Sequence, residues 1–128
     1  MKILHLEDSV SKHSEIRRVL LSCGIKSEDI VWVTNLMDGI DKLKEAGEKG
    51  EKFDLAITDM YYPEEPGGYD GKETGDKFVK FVKSERLNLP IIICSSKNVK
   101  DGSVFGCVWF AYISNWEMEL RAMIEELK

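Results

Sequence analysis

The chain has 128 residues, of which 43% are hydrophobic and 32% charged, with a formal net charge of −5. That length implies one unit, residues 1–128, large enough to bury a core. The acidic balance argues against a nucleic-acid surface, which needs clustered Lys and Arg, and no apolar run approaches membrane-spanning length.

Met-Lys-Ile-Leu-His-Leu-Glu-Asp opens the chain without the pattern of a secretory signal. Cys23, Cys94 and Cys107 lie far apart in apolar contexts with no metal-type spacing. Buried reduced thiols in a cytoplasmic protein are the expectation.

Residues 2–6 predict a buried strand ending at Glu7-Asp8. Ser9 is placed to cap a helix in which Val10, Ile16, Val19, Leu20 and Cys23 recur, with Gly24 as its stop. His5 reads as a satisfied core residue, His13 as an exposed helical one. A second strand spans 30–34, and Asn35 caps a helix with Leu36, Ile40 and Leu43 inward that Gly47 should end. Residues 53–58 form a third strand arriving at Asp59. Two prolines and three glycines make 61–74 a long loop, before a helix that buries Phe78, Val79, Val82 and Phe81. Pro90 opens a fourth strand, 91–94, leading to Ser95-Ser96. A fifth runs from Cys107 to about Ile113. Ser114-Asn-Trp-Glu117 matches a capping box for a last helix with Trp116, Leu120, Met123, Ile124 and Leu127 on its apolar face. The three tryptophans, Trp32, Trp109 and Trp116, read as packing.

Alternation of apolar strands with helices implies a parallel sheet covered on both faces. The expected fold is a three-layer α/β sandwich, flavodoxin-like, with five strands in the order 2-1-3-4-5. In such a sheet ligands sit beyond the carboxyl ends of the strands. Glu7, Asp8 and Asp59 converge there if strands one and three are neighbours. Packed carboxylates repel unless protonated or paired with a cation, and an all-oxygen set favours a hard cation such as Mg²⁺. A carboxylate can act as nucleophile toward phosphorus. Metal-assisted phosphoryl transfer onto Asp59 is the chemistry this pattern points to, with Glu7-Asp8 as the metal cradle.

These pieces resemble the receiver domain of bacterial two-component response regulators, over almost the whole chain. The matching segments are Ile-Leu-His-Leu-Glu7-Asp8, Asp38-Gly39, Phe-Asp-Leu-Ala-Ile-Thr-Asp59 with Pro63 beyond, and Pro90-Ile-Ile-Ile-Cys-Ser95-Ser96. The resemblance implies that Asp59 is the phosphoacceptor. It further implies that Asp8, Asp59 and the main-chain carbonyl of Tyr61 bind Mg²⁺, with Glu7 acting through water. Ser95 would meet a phosphoryl oxygen with its hydroxyl. Phe110 would be the switch aromatic, although an ordinary core aromatic competes for that role. A histidine kinase or histidine phosphotransfer protein would donate the phosphoryl group to a stand-alone receiver, which would then bind a downstream protein. Neither nucleic acid nor membrane is expected as a partner.

Two departures from the family stand out. Ile113-Ser114 occupies the place of the usual Lys-Pro after strand five, so the cation that faces the phosphoryl group is missing; Lys97 and Lys72 are the candidate substitutes. Only ten residues, 96–105, separate Ser95 from Gly106, and they include the turn pair Asp101-Gly102. The family's fourth helix must therefore be shortened or replaced by a loop. The missing Lys favours an alternative, a degenerate receiver that works as a phosphorylation-independent interaction module. A true enzyme on this fold, a phosphatase or flavoprotein, is disfavoured. Tyr61 stands where a second catalytic acid would be, and Glu7-Asp8 would repel a flavin phosphate.

Overall fold

The computed structural model describes residues 1–71 and 73–128. Five parallel strands, β1 (Ile3–Leu6), β2 (Ile30–Val33), β3 (Leu55–Thr58), β4 (Ile91–Ser95) and β5 (Gly106–Trp109), form one sheet in the order 2-1-3-4-5. Four helices connect or follow them: α1 (Val10–Ser22), α2 (Leu36–Lys49), α3 (Thr74–Ser84) and α4 (Trp116–Leu127). Side chains alternate across each strand, so the sheet has two buried faces. Ile3, Leu55, Ile57 and Ile92 pack with Ile16, Leu20, Leu120 and Ile124, which places α1 and α4 on one side. Leu4, Leu6, Ala56 and Ile93 pack with Ala46, Phe78 and Val82, which places α2 and α3 on the other. This is the expected three-layer doubly wound sheet. Among the described residues, no helix is long and apolar enough to cross a membrane.

Several elements differ from the sequence reading, each for a local reason. Helix α2 passes through Gly47, which is exposed, and stops where Gly50 adopts a left-handed φ of 69°. Stopping a helix this way needs the left-handed residue, and a glycine alone within it does not suffice. Strand β5 ends at Trp109 because its only neighbour, β4, ends at Ser95, and those two residues are paired. Phe110 donates the last rung, N–H to the Ser95 carbonyl at 2.8 Å, and lies just past the strand. Ser114 does not cap the last helix: its hydroxyl donates to the Trp109 and Ala111 carbonyls, and α4 begins at Trp116 after Asn115, with no side-chain cap. No helix lies in 96–105 among the described residues, so of the two expectations, a shortened helix or a loop, the loop is the one formed. Its turn is held by Asp101, whose carboxylate accepts from the Ser103 N–H at 2.9 Å.

Helix α3 approaches the end of β3 as closely as backbone allows. A Cβ on Gly75 would fall 2.2 Å from the Asp59 carbonyl oxygen and 2.9 Å from Met60 Cα, while the Gly75 N–H donates to the Met60 carbonyl. Gly75→Ala should therefore lower the unfolding free energy by about 1–3 kcal/mol through overpacking. Gly47→Ala, where nothing lies within 4 Å, should raise it by about 0.5–1 kcal/mol through helix propensity. Urea unfolding of both variants checks the pair; effects of equal sign would contradict this packing.

Candidate functional site

Parallel pairing puts Leu6 beside Thr58, so the residues that follow, Glu7 and Asp59, emerge together at the carboxyl edge. The backbone continues the ladder beyond the strands: Asp59 N–H donates to the Leu6 carbonyl and Glu7 N–H to that of Val33. Carboxylate oxygens of Glu7, Asp8 and Asp59 all lie within 4.8 Å of one another. The convergence expected from the sequence is thus realised. Glu7 is buried, while Asp8 and Asp59 are half-buried.

Lys12, from the first turn of α1, sits among these acids. Its Nζ lies 2.8 Å from Glu7 Oε1 and 3.2 Å from Asp59 Oδ1, and it donates to the Cys94 carbonyl at 2.8 Å. The Lys12 ammonium is the one partner of the buried Glu7 Oε1 among the described residues. Glu7 Oε2 accepts from the Ser9 N–H. Asp59 Oδ1 also accepts from the Met60 N–H at 2.7 Å. Asp59 Oδ2 has no hydrogen-bond or ion-pair partner among the described residues.

The protonation equilibria follow from this packing. Burial drives the Glu7 carboxyl up to about 7, against the pull of the Lys12 ammonium and with a further push from Asp59. Burial also raises Asp8 to about 6, helped by a hydrogen bond and like charge from Asp70 in the 61–71 loop. For Lys12, burial acts to lower the pKa, but the Glu7 and Asp59 carboxylates outweigh it and hold the amine above its ordinary value. Lys12 is therefore an ammonium at neutral pH.

The sequence reading missed Lys12, although the signal was present. Ile16, Leu20 and Cys23 extend backward at helical spacing to Lys12 and His13, both buried, whereas Val10, six residues before Ile16, is 66% exposed. His13 is thus inside, not exposed: its ring stacks on Trp32 at 4.0 Å, and its Nδ1 faces His5 Nδ1 at 2.8 Å. His5 is buried as expected but only partly satisfied, since its Nε2 has no partner. Trp32 donates from its indole to the Glu7 carbonyl at 2.7 Å, tying this aromatic stack to the site.

The other predicted residues lie around the acids. Ser95 ends β4 fully buried, its hydroxyl oxygen accepting from the Lys97 N–H. Lys97 makes no ion pair among the described residues; its ammonium lies 4.8 Å from the Tyr61 ring centroid, on the loop after Asp59. Lys72 lies outside the described residues. Phe110 packs on Trp116 at 4.6 Å, with Lys12 Nζ 5.4 Å from its centroid. A separate depression of ≈ 290 Å³ near Phe53, Leu87 and Leu89 borders the amino ends of β3 and β4, the opposite edge of the sheet from the acids.

No protein-family model matches the chain, and no curated protein matches it in sequence. Solved structures do match in fold. Two RcsB dimers bound to two parallel DNAs give 19% identity and a TM-score of 0.72, covering 99% of this chain and 63% of that one. RcsB from Salmonella enterica serovar Typhimurium, bound to promoter rprA in the presence of the phosphomimetic BeF3−, gives 20% and 0.66, covering 98% and 62%. The response regulator TrrA from Thermotoga maritima, in complex with Mg²⁺-BeF, gives 18% and 0.70, with both chains covered in full at 100%. The fold is that of response-regulator receiver domains, and the chain spans about 63% of the first RcsB chain it matches.

The DNA complexes correct the expectation that nucleic acid is excluded as a partner. RcsB shares this fold and is bound to DNA in them. A net charge summed over one stretch of chain does not report where a protein of this architecture carries its basic surface.

The raised acids make a pH prediction. Ligating carboxylates must be ionised, so Mg²⁺ should bind more tightly at about pH 8 than at about pH 5.5, releasing protons between. Isothermal titration in buffers of different ionisation enthalpy measures both quantities. An affinity independent of pH would contradict Asp8 as a ligand and Glu7 as its water-mediated neighbour.

Proposed function

We propose that the chain, residues 1–128, is a cytoplasmic response-regulator receiver that accepts a phosphoryl group on Asp59 in a phosphorelay. The observation that carries this reading is the convergence of Glu7, Asp8 and Asp59 at the carboxyl edge of a receiver-type sheet. Its role is that of a signalling phosphoacceptor, with chemistry limited to its own phosphorylation and dephosphorylation.

The donor set fits Mg²⁺: all its ligands are oxygens, and carboxylate oxygens of Glu7, Asp8 and Asp59 lie within 4.8 Å of one another. Asp8, Asp59 and the Tyr61 carbonyl would hold the ion, with Glu7 acting through water. When bound, it would supply positive charge to the phosphoryl oxygens. The protein's own part is positioning. Met60 N–H and Lys12 fix Asp59 Oδ1, leaving Oδ2 free to attack phosphorus. The new Oδ2–P bond forms as the donor's bond to phosphorus breaks, P–N in a phosphohistidine and P–O in acetyl phosphate, and the leaving group departs with that electron pair. Ser95 uses its oxygen as an acceptor, so its hydroxyl hydrogen can turn toward a phosphoryl oxygen. Phe110, beside Lys12 and Trp116, is the candidate switch.

A second reading has one observation in its favour. The Lys12 ammonium already compensates Glu7 and Asp59, as it would in a phosphorylation-independent interaction module. Intact-mass analysis after incubation with acetyl phosphate separates the two. The phosphoacceptor reading expects a Mg²⁺-dependent phosphoryl adduct that Asp59→Asn abolishes, and Asp8→Ala should weaken Mg²⁺ binding without unfolding the chain. Absence of an adduct in folded wild-type protein, with acetyl phosphate and with kinase-type donors, would favour the interaction module.

A further inference from the structure

Among the described residues, Lys12 is the only lysine or arginine buried in the fold. Its position is costly in two ways. Burial removes the hydration of an ammonium, and a cation in a helix's first turn opposes the helix dipole. Nothing in α1 offsets this, since its first turn holds no acid. The compensation comes entirely from the site: two carboxylates and one carbonyl, from three different strand ends. An ammonium carries three hydrogens, and it has three partners here: it donates to the Cys94 carbonyl and contacts Glu7 Oε1 and Asp59 Oδ1.

Resting on the phosphoacceptor reading of Asp59, we infer that Lys12 is the catalytic cation of this site, its ammonium contacting the phosphoryl group delivered to Asp59. It thereby fills from α1 the role left open by Ile113-Ser114 after β5, a role for which Lys97 is not used. Phosphoryl transfer spreads negative charge over the three equatorial oxygens, and a fixed cation at the nucleophile is suited to stabilise it. Lys12 is already fixed 3.2 Å from the nucleophilic carboxylate. Phosphorylation removes the carboxylate charge of Asp59 and places phosphoryl oxygens on the same side chain, so the ammonium keeps an anionic partner throughout. The Asp59 contact, at 3.2 Å the longest of the three, is the one it can exchange for a phosphoryl oxygen. The transfer balances with acetyl phosphate as donor: Asp59 Oδ2 bonds to phosphorus, the P–O bond to the acetyl group breaks, and acetate leaves.

Lys12→Met keeps the side chain's length and removes its charge. Initial phosphorylation rates with acetyl phosphate and Mg²⁺ should fall about 100-fold, the scale for losing one preorganised charge-stabilising donor. Lys97→Ala should match wild type. Binding of BeF3− in the presence of Mg²⁺, followed by fluorine NMR, should weaken in Lys12→Met, while Mg²⁺ alone binds at least as tightly as to wild type. Should Lys12→Met fold poorly, Glu7→Gln is compared with Glu7→Gln/Lys12→Met, a pair that does not strand the buried Glu7 charge, and the same drop is expected between them. Equal rates with and without Lys12 overturn the inference and leave Asp59 as phosphoacceptor. A joint loss of Mg²⁺ binding and phosphorylation also overturns it, since the role would then be structural. If wild type neither gains a phosphoryl group nor binds BeF3−, the phosphoacceptor reading falls and the inference with it.

Discussion

The ammonium of Lys12, held between Glu7, Asp59 and the Cys94 carbonyl, is the interaction on which the arrangement of this edge depends. It joins the ends of β1, β3 and β4 through one side chain reaching in from α1. A buried ion pair gains little net stability over an apolar replacement, but removing one partner is strongly destabilising because it strands the other charge. Acids this close repel unless protonated or paired with a cation, and Lys12 supplies the cation beside Glu7 and Asp59. Even with it, burial keeps Glu7 near neutrality in its proton affinity, at about 7.

The rest of the fold holds that group in place. Register between β1 and β3 brings Glu7 beside Asp59, and Gly75 lets α3 press against the Asp59-Met60 backbone with no room for a side chain. On the α1 face, His5, His13 and Trp32 form a packed stack whose indole hydrogen-bonds the Glu7 carbonyl. Burial, followed by the charges of neighbouring cations or of His13, lowers both histidines, so the stack is neutral at pH 7 and does not add charge beside Lys12. On the other face, the buried Tyr62 hydroxyl meets Thr58 at 2.9 Å, closing the start of the loop after Asp59 against β3. That loop also binds α2, with Leu36 and Met37 N–H groups donating to the Pro63 and Glu64 carbonyls.

Much of this was legible in the sequence, because strand periodicity and strand-end acids are local signals. Apolar runs ending in Glu7-Asp8, Asp59 and Ser95 point to the strands and, once β1 and β3 are taken as neighbours, to the convergence of the three acids, while the Asp101-Gly102 pair leaves a shortened helix or a loop open. What escaped depended on contacts made at a distance. Lys12 occupies a core-facing position of α1, where a charge reads as a gap in the apolar stripe unless its carboxylate partners are already known. His13 is hidden by the same stripe, since Val10 offers a false start to the pattern. The end of β5 is set by the length of β4, and Ser114 turns its hydroxyl to the preceding turn instead of to α4. Neither of these last two is written within a single window of sequence.

The most direct test is a crystal structure of the wild-type protein with Mg²⁺ and BeF3−. The account predicts beryllium on Asp59 Oδ2, the metal against Asp8 and Asp59, and Lys12 Nζ within hydrogen-bonding distance of a fluorine, about 3 Å. A site that takes up neither ion, with Lys12 still between Glu7 and Asp59, would contradict it.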